Sequence, residues 1–186
     1  RCIDTCIDCE EMPMRMTTKE LLYGSLLTAL ALLIPLAFQG WLQVVIPPFS
    51  ATLASHLPSM LAMTISPQTA AFVGVGSSLG FLMTLGPVVA LRAAVHIVFG
   101  IVGALVYARS GALWKALLAA LPIHALGETL VVLPFGFTFS QALLIIGLGT
   151  AMHHVADGVI TAAVFHAMTK AGVNLSLRPK RPVNHL

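Results

Sequence analysis

Three features of the sequence predict an all-α integral membrane protein with six transmembrane helices and a re-entering Pro-rich outer loop between helices 1 and 2. The first is composition. The 186 residues are 58% hydrophobic and only 9% charged, where a soluble domain carries about 25% charged residues. The second is where the charges lie. Between Leu21 and Thr169 they are confined to Arg92, Arg109, Lys115, Glu128 and Asp157. A spanning helix takes about 20 apolar residues, and this stretch has room for six with short links. The third is the run QVVIPPFSATLASH at 43–56, a break between two apolar segments. Pro47 and Pro48 lack a backbone N–H and fix φ, so no helix runs through them. A transmembrane barrel is excluded, because runs such as SLLTALALLIPLAF do not alternate.

Taken in order, residues 1–18 form a polar tail that begins at Arg1 and is expected to be processed or artificial. Cys2, Cys6 and Cys9 give C-x3-C-x2-C. That spacing resembles the iron–sulfur loop of radical enzymes, but no soluble barrel follows, and a zinc site would want a fourth ligand. The membrane domain covers 19–170. Its first span is 21–38, with Thr17 or Thr18 as N-cap and Glu20 in the first turn. Gly24, Ser25, Thr28 and Ala29 set small residues at i and i+4, which allow close helix approach in lipid. After the loop, Ser50, Thr52 and Ser55 can cap a restarting helix, with His56 one to two turns inside it.

That second span is expected at 51–65 and ends at Ser66-Pro67. The third, 68–85, carries a small-residue face of Gly74, Gly76, Ser77, Ser78 and Gly80. Gly86-Pro87 turns the chain into the fourth span, 88–107, with Arg92 and His96. A link with Arg109 leads to the fifth, 115–133, with His124 and Glu128. The sixth, 141–168, is long enough to tilt or to extend past the bilayer and carries His153, His154, Asp157 and His166. A basic cytoplasmic tail, 171–186, closes the chain.

Orientation follows from Lys and Arg. Arg15 and Lys19, then Arg109 and Lys115, then Lys170, Arg178, Lys180 and Arg181 all fall on one side of six spans. The links at 39–50, 86–87 and 134–140 have none. The positive-inside rule makes the charged side cytoplasmic, so both termini are expected inside a plasma membrane and the Pro-rich loop outside. The formal net charge of +3 is therefore a topology signal, and no nucleic-acid partner is expected.

Charges inside a span cost about 2.5–3.5 kcal/mol on insertion scales, so they face the interior and have partners. Depth counting at about 1.5 Å per residue puts His56, Arg92 and Glu128 at one level beneath the outer loop, with His96 one turn below Arg92 and His153 near mid-span. Arg92 offers a fork of donors suited to a carboxylate or phosphate; the competing role is a permanent salt bridge to Glu128. His56, His96, His124 and His153 are each candidates for ligand contact or for satisfied core histidines. Trp41, Gln43 and Phe49 sit in or beside the loop, where the aromatics serve as interfacial anchors or as a lid on a flat ring. His154 and Asp157 are either a hydrogen-bonded pair or a metal pair.

No P-loop, G-x-S-x-G or H-E-x-x-H motif is present. From the residues alone, three functions stay open. One is a binding subunit that transports with energised partners. The second is an intramembrane metal-dependent enzyme on His153, His154, Asp157 and His96. The third is a metal-ion uptake component. The spread of the histidines over four helices counts against the last two, so no cofactor and no metal is expected.

The stretches TTKELLYGSLLTALALLIPL and VVIPPFSATLASHLPSMLAMTISP, the Gly-rich third span and 92–107 resemble the substrate-binding (S) components of energy-coupling factor (ECF) vitamin transporters. The resemblance covers about 17–170. It implies six helices with both ends cytoplasmic and a small vitamin bound under the outer loop. It also implies partners: a transmembrane coupling subunit and two ATPase subunits, as in ABC transporters. The family's Ala-x-x-x-Ala docking surface falls here on Ser25 and Ala29, a departure at one Ala. IPPFSATLASH looks most like the niacin-specific branch. A nicotinate-sized anion would suit Arg92 for its carboxylate, a histidine for its ring and Trp41 or Phe49 for its face. Pantothenate, or another carboxylate vitamin such as folate, would suit Arg92 as well.

Overall fold

The computed structural model describes residues 16–38, 40–46 and 49–176. The tail residues 1–15 with their cysteines, the basic residues 177–186, and Pro47 and Pro48 lie outside the described residues. Helix α1, Thr18–Phe38, begins with a reciprocal cap. The Glu20 N–H donates to Thr17 Oγ1 at 3.2 Å, and the Thr17 N–H donates to Glu20 Oε2 at 2.8 Å. A two-stranded antiparallel hairpin follows, β1 Gln43–Ile46 and β2 Phe49–Thr52, in register Gln43 to Thr52 and Ile46 to Phe49. Then come α2, Leu57–Ala62, α3, Pro67–Leu85, α4, Pro87–Ser110, and α5, Leu113–Val131. The last helix, α6, is Phe139–Lys170 and has a π-helical stretch at Ala142–Gly147.

Among the described residues, α1, α3, α4, α5 and α6 are long and apolar enough to cross a membrane. The second expected span differs from the reading of 51–65 as a helix. Its first residues pair as β2, a turn follows, and only Leu57–Ala62 is helical. His56 is therefore the residue before the helix, with no side-chain cap, rather than one to two turns inside it. The run is shorter than the about 20 residues a spanning helix takes, and the backbone amides of Ala54 and His56 are taken by Asp157 of α6. The helix starts only after them, with Pro58 in its first turn, where a missing N–H costs nothing.

The chain nevertheless returns across the bundle at this point. Gly24 faces Thr69 and Phe72, Gly76 faces Thr28, and Gly80 faces Leu32 and Pro35. The numbers rise together, so α1 and α3 run parallel, and the segment between them must come back. Irregular backbone at membrane depth is tolerated only where protein covers it. Every residue from Pro58 to Ser66 is buried, as that rule requires. At the far end Leu175, just after α6, packs with Leu61, Ile65 and Tyr23. The start of α1 and the end of α6 thus share one end of the bundle.

The core is set by small residues. A Cβ on Gly74 would stand 2.8 Å from the Ile97 backbone nitrogen, so α3 and α4 touch backbone to backbone. Met60, Met63, Ala70, Val73 and Phe99 fill the space around that contact. The small residues of α1 divide between two faces: Gly24 and Thr28 pack on α3, while Ser25 and Ala29 are exposed.

Candidate functional site

The close α3–α4 contact carries Arg92 and His96 inward, and both are buried. They meet Glu128 from α5 and the hairpin from above. Arg92 donates to Glu128 Oε2 twice, from Nε at 2.9 Å and from Nη2 at 2.7 Å. Its Nη2 also reaches the Ser50 carbonyl of β2 at 3.5 Å, and its guanidinium carbon lies 5.7 Å from the centre of the Phe49 ring. Glu128 Oε2 further accepts from Thr150 Oγ1 at 2.7 Å. Two buried charges with this many hydrogen bonds satisfy each other; removing either leaves the other stranded.

The other Glu128 oxygen faces His124 Nε2 at 3.2 Å. His124 Nδ1 lies 3.0 Å from His154 Nδ1, and His154 Nε2 donates to the Leu117 carbonyl at 3.1 Å. A carbonyl only accepts, so that last contact places a proton on His154 Nε2. Beside this chain the rings of His96, His124 and His153 surround His56, with centroids 4.8, 4.5 and 4.3 Å away. Phe99, fully buried, closes the floor beneath His124 at 4.5 Å. His96 Nδ1 is 2.9 Å from Ser77 Oγ.

Asp157 ties the loop to α6. It accepts the N–H of Ala54 at 2.8 Å and of His56 at 3.0 Å. His153 Nε2 approaches it at 3.2 Å and the Thr52 carbonyl at 3.1 Å. His56 Nδ1 is 2.9 Å from the same carboxylate but is not aligned for a hydrogen bond, so the contact is electrostatic.

A cavity between hairpin and helices is lined by Ser50, Thr52, His56, Arg92, His96, Glu128 and His153, with apolar Phe81, Leu85 and Val89 on one side. Its volume is about 20 Å³, room for about one water. The structure thus brings Arg92, His56 and Glu128 together with His96 beside them, as depth counting expected, and adds His153, which depth counting put deeper, near mid-span. It places Trp41 and Gln43 elsewhere. Trp41 is 67% exposed, its Nε1 donates to the Ala37 carbonyl, and Gln43 Oε1 accepts from Gly40. Phe49 does not line the cavity but packs between Arg92 and Gly149. His154 and Asp157 are not each other's partners.

Sequence reasoning left Thr150 and Ser77 out of the site and held His124 only as one of four candidate histidines, without naming its partners. His124 had a signal, since it precedes Glu128 by one helical turn, the spacing at which side chains meet. His153 and Asp157 share that spacing. Ser77 and Thr150 had none, because their roles come from neighbouring helices.

No protein-family model matches the chain, and no solved structure matches it. The chain is similar to the niacin transporter NiaX of Lactococcus lactis subsp. cremoris (strain MG1363). The two are 33% identical over 185 residues, covering 87% of this chain and 82% of that protein.

Proposed function

This chain belongs to the family of the niacin transporter NiaX, and we propose that it is the substrate-binding component of an ECF transporter that takes up niacin as nicotinate. It is a multi-pass membrane protein and a transporter subunit rather than an enzyme. The observation that carries the ligand reading is Arg92. It is a buried guanidinium at the cavity wall, beneath a hairpin that the chain holds by side-chain contacts. Nicotinate is a flat monoanion. Its carboxylate would take the place beside Arg92, and its ring would lie among His56, His96 and His153.

Room for one water is too little for such a ring, so binding requires the hairpin to lift. Phe49 would then settle over the ring from the β2 side. Trp41 and Gln43 belong to the outer face of the loop, where they would meet the membrane surface and the entering ligand.

ATP hydrolysis is assigned to partner subunits, since the chain has no phosphate-binding loop. Docking of the coupling subunit is assigned to the exposed Ser25 and Ala29 face of α1. Both termini are assigned to the cytoplasm from the basic residues at that end. With Cys2, Cys6 and Cys9 replaced, external thiol reagents should label Thr138→Cys in intact cells and leave Ser110→Cys untouched; the reverse would invert the orientation.

The ligand is tested by calorimetry on purified protein with nicotinate, nicotinamide and pantothenate. Nicotinate should bind much more tightly than nicotinamide, which has the same ring without the charge. Equal affinity for the two ring compounds, or a preference for pantothenate, would remove the reading.

A further inference from the structure

We propose that His56, His96, His124 and Glu128 form a resident site for a zinc-class divalent ion at the floor of the cavity. The ion gives the pocket the positive charge that an anionic ligand needs, a role that rests on the nicotinate reading above. Each of the four residues offers one donor atom, all four atoms lie within 4.8 Å of one another, and all four residues are buried. Around a tetrahedral zinc with bonds of 2.0–2.1 Å, two ligand atoms stand about 3.3 Å apart. Closing the set therefore needs side-chain shifts on the order of 1 Å. The ligands come from the turn before α2, from α4 and from α5, elements that the Asp157 tie and the α3–α4 contact already hold.

What separates this cluster from packed histidines is the state of the second ring nitrogen. A metal-bound histidine has its other nitrogen held by an outer partner that orients the ring. His56 Nδ1 stands against the Asp157 carboxylate at 2.9 Å, His96 Nδ1 against Ser77 Oγ at 2.9 Å, and His124 Nδ1 against His154 Nδ1 at 3.0 Å. In His56 and His96 the approached atom is Nδ1, leaving Nε2 to coordinate, and the His124 Nε2 already stands 3.2 Å from Glu128 Oε1, the two donor atoms that an ion between them would share. Glu128 is arranged the same way. Its Oε2 is held by Arg92 and Thr150, and its Oε1 faces His124 Nε2. Three imidazoles and one carboxylate oxygen favour a borderline ion such as zinc or cobalt over magnesium or calcium, which take oxygen ligands.

The charge count gives the ion a role. Arg92 is matched by Glu128, and Asp157 lies against His56 and His153. A ligand carboxylate entering this pocket meets an arginine whose charge is already cancelled. A divalent ion sharing Glu128 restores a positive surplus next to Arg92 and also holds His56 and His96 in place as walls for the ring.

The test uses tag-free full-length protein in detergent, stripped with chelator and titrated with Co²⁺ as a spectroscopic probe. The expected result is one Co²⁺ per chain with the intense visible bands of a tetrahedral site, displaced by Zn²⁺. His124→Gln should abolish the bands. Ser77→Ala, which alters only an outer partner, should weaken binding about 10-fold. Weak octahedral bands in the wild type, or bands unchanged in both variants, would overturn the site and point to exposed histidines such as His166. If His124→Gln does not fold, the wild-type spectrum and Ser77→Ala decide. In a second arm, Zn²⁺ loading should tighten nicotinate binding at least about 10-fold, and equal affinity with and without the ion would overturn the proposed role. Stoichiometric Co²⁺ with no nicotinate binding would sink the vitamin reading and leave the ion site standing.

Discussion

Asp157 holds Ala54 in a left-handed turn. Its Oδ1 accepts the Ala54 N–H at 2.8 Å, and Ala54 has φ of 63°. A non-glycine residue pays about 1–2 kcal/mol for that conformation, so the contact must offset it. The same carboxylate takes the His56 N–H. One side chain of α6 therefore sets where the hairpin ends and where His56 points.

Asp157→Asn follows as the first prediction. The amide keeps one acceptor but turns an NH₂ toward a backbone N–H. Hydrogen bonds to a charged group contribute about 1.5–3 kcal/mol each, so the tie should weaken by that order. Amide exchange at Ala54 and His56 should speed up well before the helices respond. Ala54→Gly relieves the backbone and should stabilise by up to about 1 kcal/mol, while Ala54→Val should destabilise. Unchanged exchange in Asp157→Asn would show that the loop is held elsewhere.

Glu128→Gln separates the empty protein from the loaded one. Breaking a buried pair by removing one partner costs about 3–5 kcal/mol, because the other charge is left stranded. Chelator-treated Glu128→Gln should therefore melt well below wild type. Nicotinate can then supply the missing carboxylate to Arg92, so its stabilising effect should be larger in the variant than in the wild type. Arg92→Lys keeps the charge but loses the fork and should bind more weakly, a loss of about 2–5 kcal/mol being the scale for a buried charge pair. Thermal melts with and without ligand read all of these. A smaller ligand effect in Glu128→Gln would mean that Glu128 bonds the ligand directly.

Gly74 and Gly158 make a paired prediction about packing. A Cβ at Gly74 would press on the Ile97 backbone at 2.8–2.9 Å and on the His96 carbonyl carbon at 3.0 Å, none of which can turn aside. Gly74→Ala should cost about 1–3 kcal/mol and should shift His96, so ligand binding falls with stability. At Gly158 the nearest atom is a Leu117 methyl at 3.6 Å. Gly158→Ala should be tolerated or slightly stabilising, since it also raises helix propensity. Equal melting temperatures for the two variants would refute the backbone contact as the determinant.

The helices were legible because membrane spans announce themselves by length and missing charge. Five of the six expected spans appear within a few residues of where apolar runs begin and end. The second span, expected at 51–65, is not one helix, because the start of its helix is decided by Asp157, a residue about a hundred positions later. No local pattern carries that information. The site was legible as a level, since Arg92, Glu128, His56 and His96 follow from counting turns. It was not legible as a network, because a histidine's partners depend on which ring nitrogen faces which helix. The histidines look scattered over the sequence, yet the fold gathers His96, His124 and His153 around His56. An aromatic beside the loop reads equally as a lid or as an interfacial anchor; the structure shows the Trp41 indole N–H satisfied by the end of its own helix and its ring exposed, a placement set by the helix end that no spacing in the sequence carries.

Ala29→Trp tests the division of α1 into two faces. Gly24 and Thr28 pack against α3, so bulk at Gly24 should destabilise the subunit itself. Ser25 and Ala29 lie one position on, pointing away from the bundle and exposed. Without a hydrophobic drive between helices in lipid, association relies on close approach over small side chains. A tryptophan at Ala29 would hold a partner helix away while leaving the Arg92 cavity, reached through the hairpin, untouched. Purified Ala29→Trp should therefore bind nicotinate with wild-type affinity and melt at the wild-type temperature, while uptake by cells carrying the complete transporter is lost. Full uptake in Ala29→Trp would move the docking surface to another face. Loss of binding and uptake together would mean that Ala29 packs inside the folded subunit.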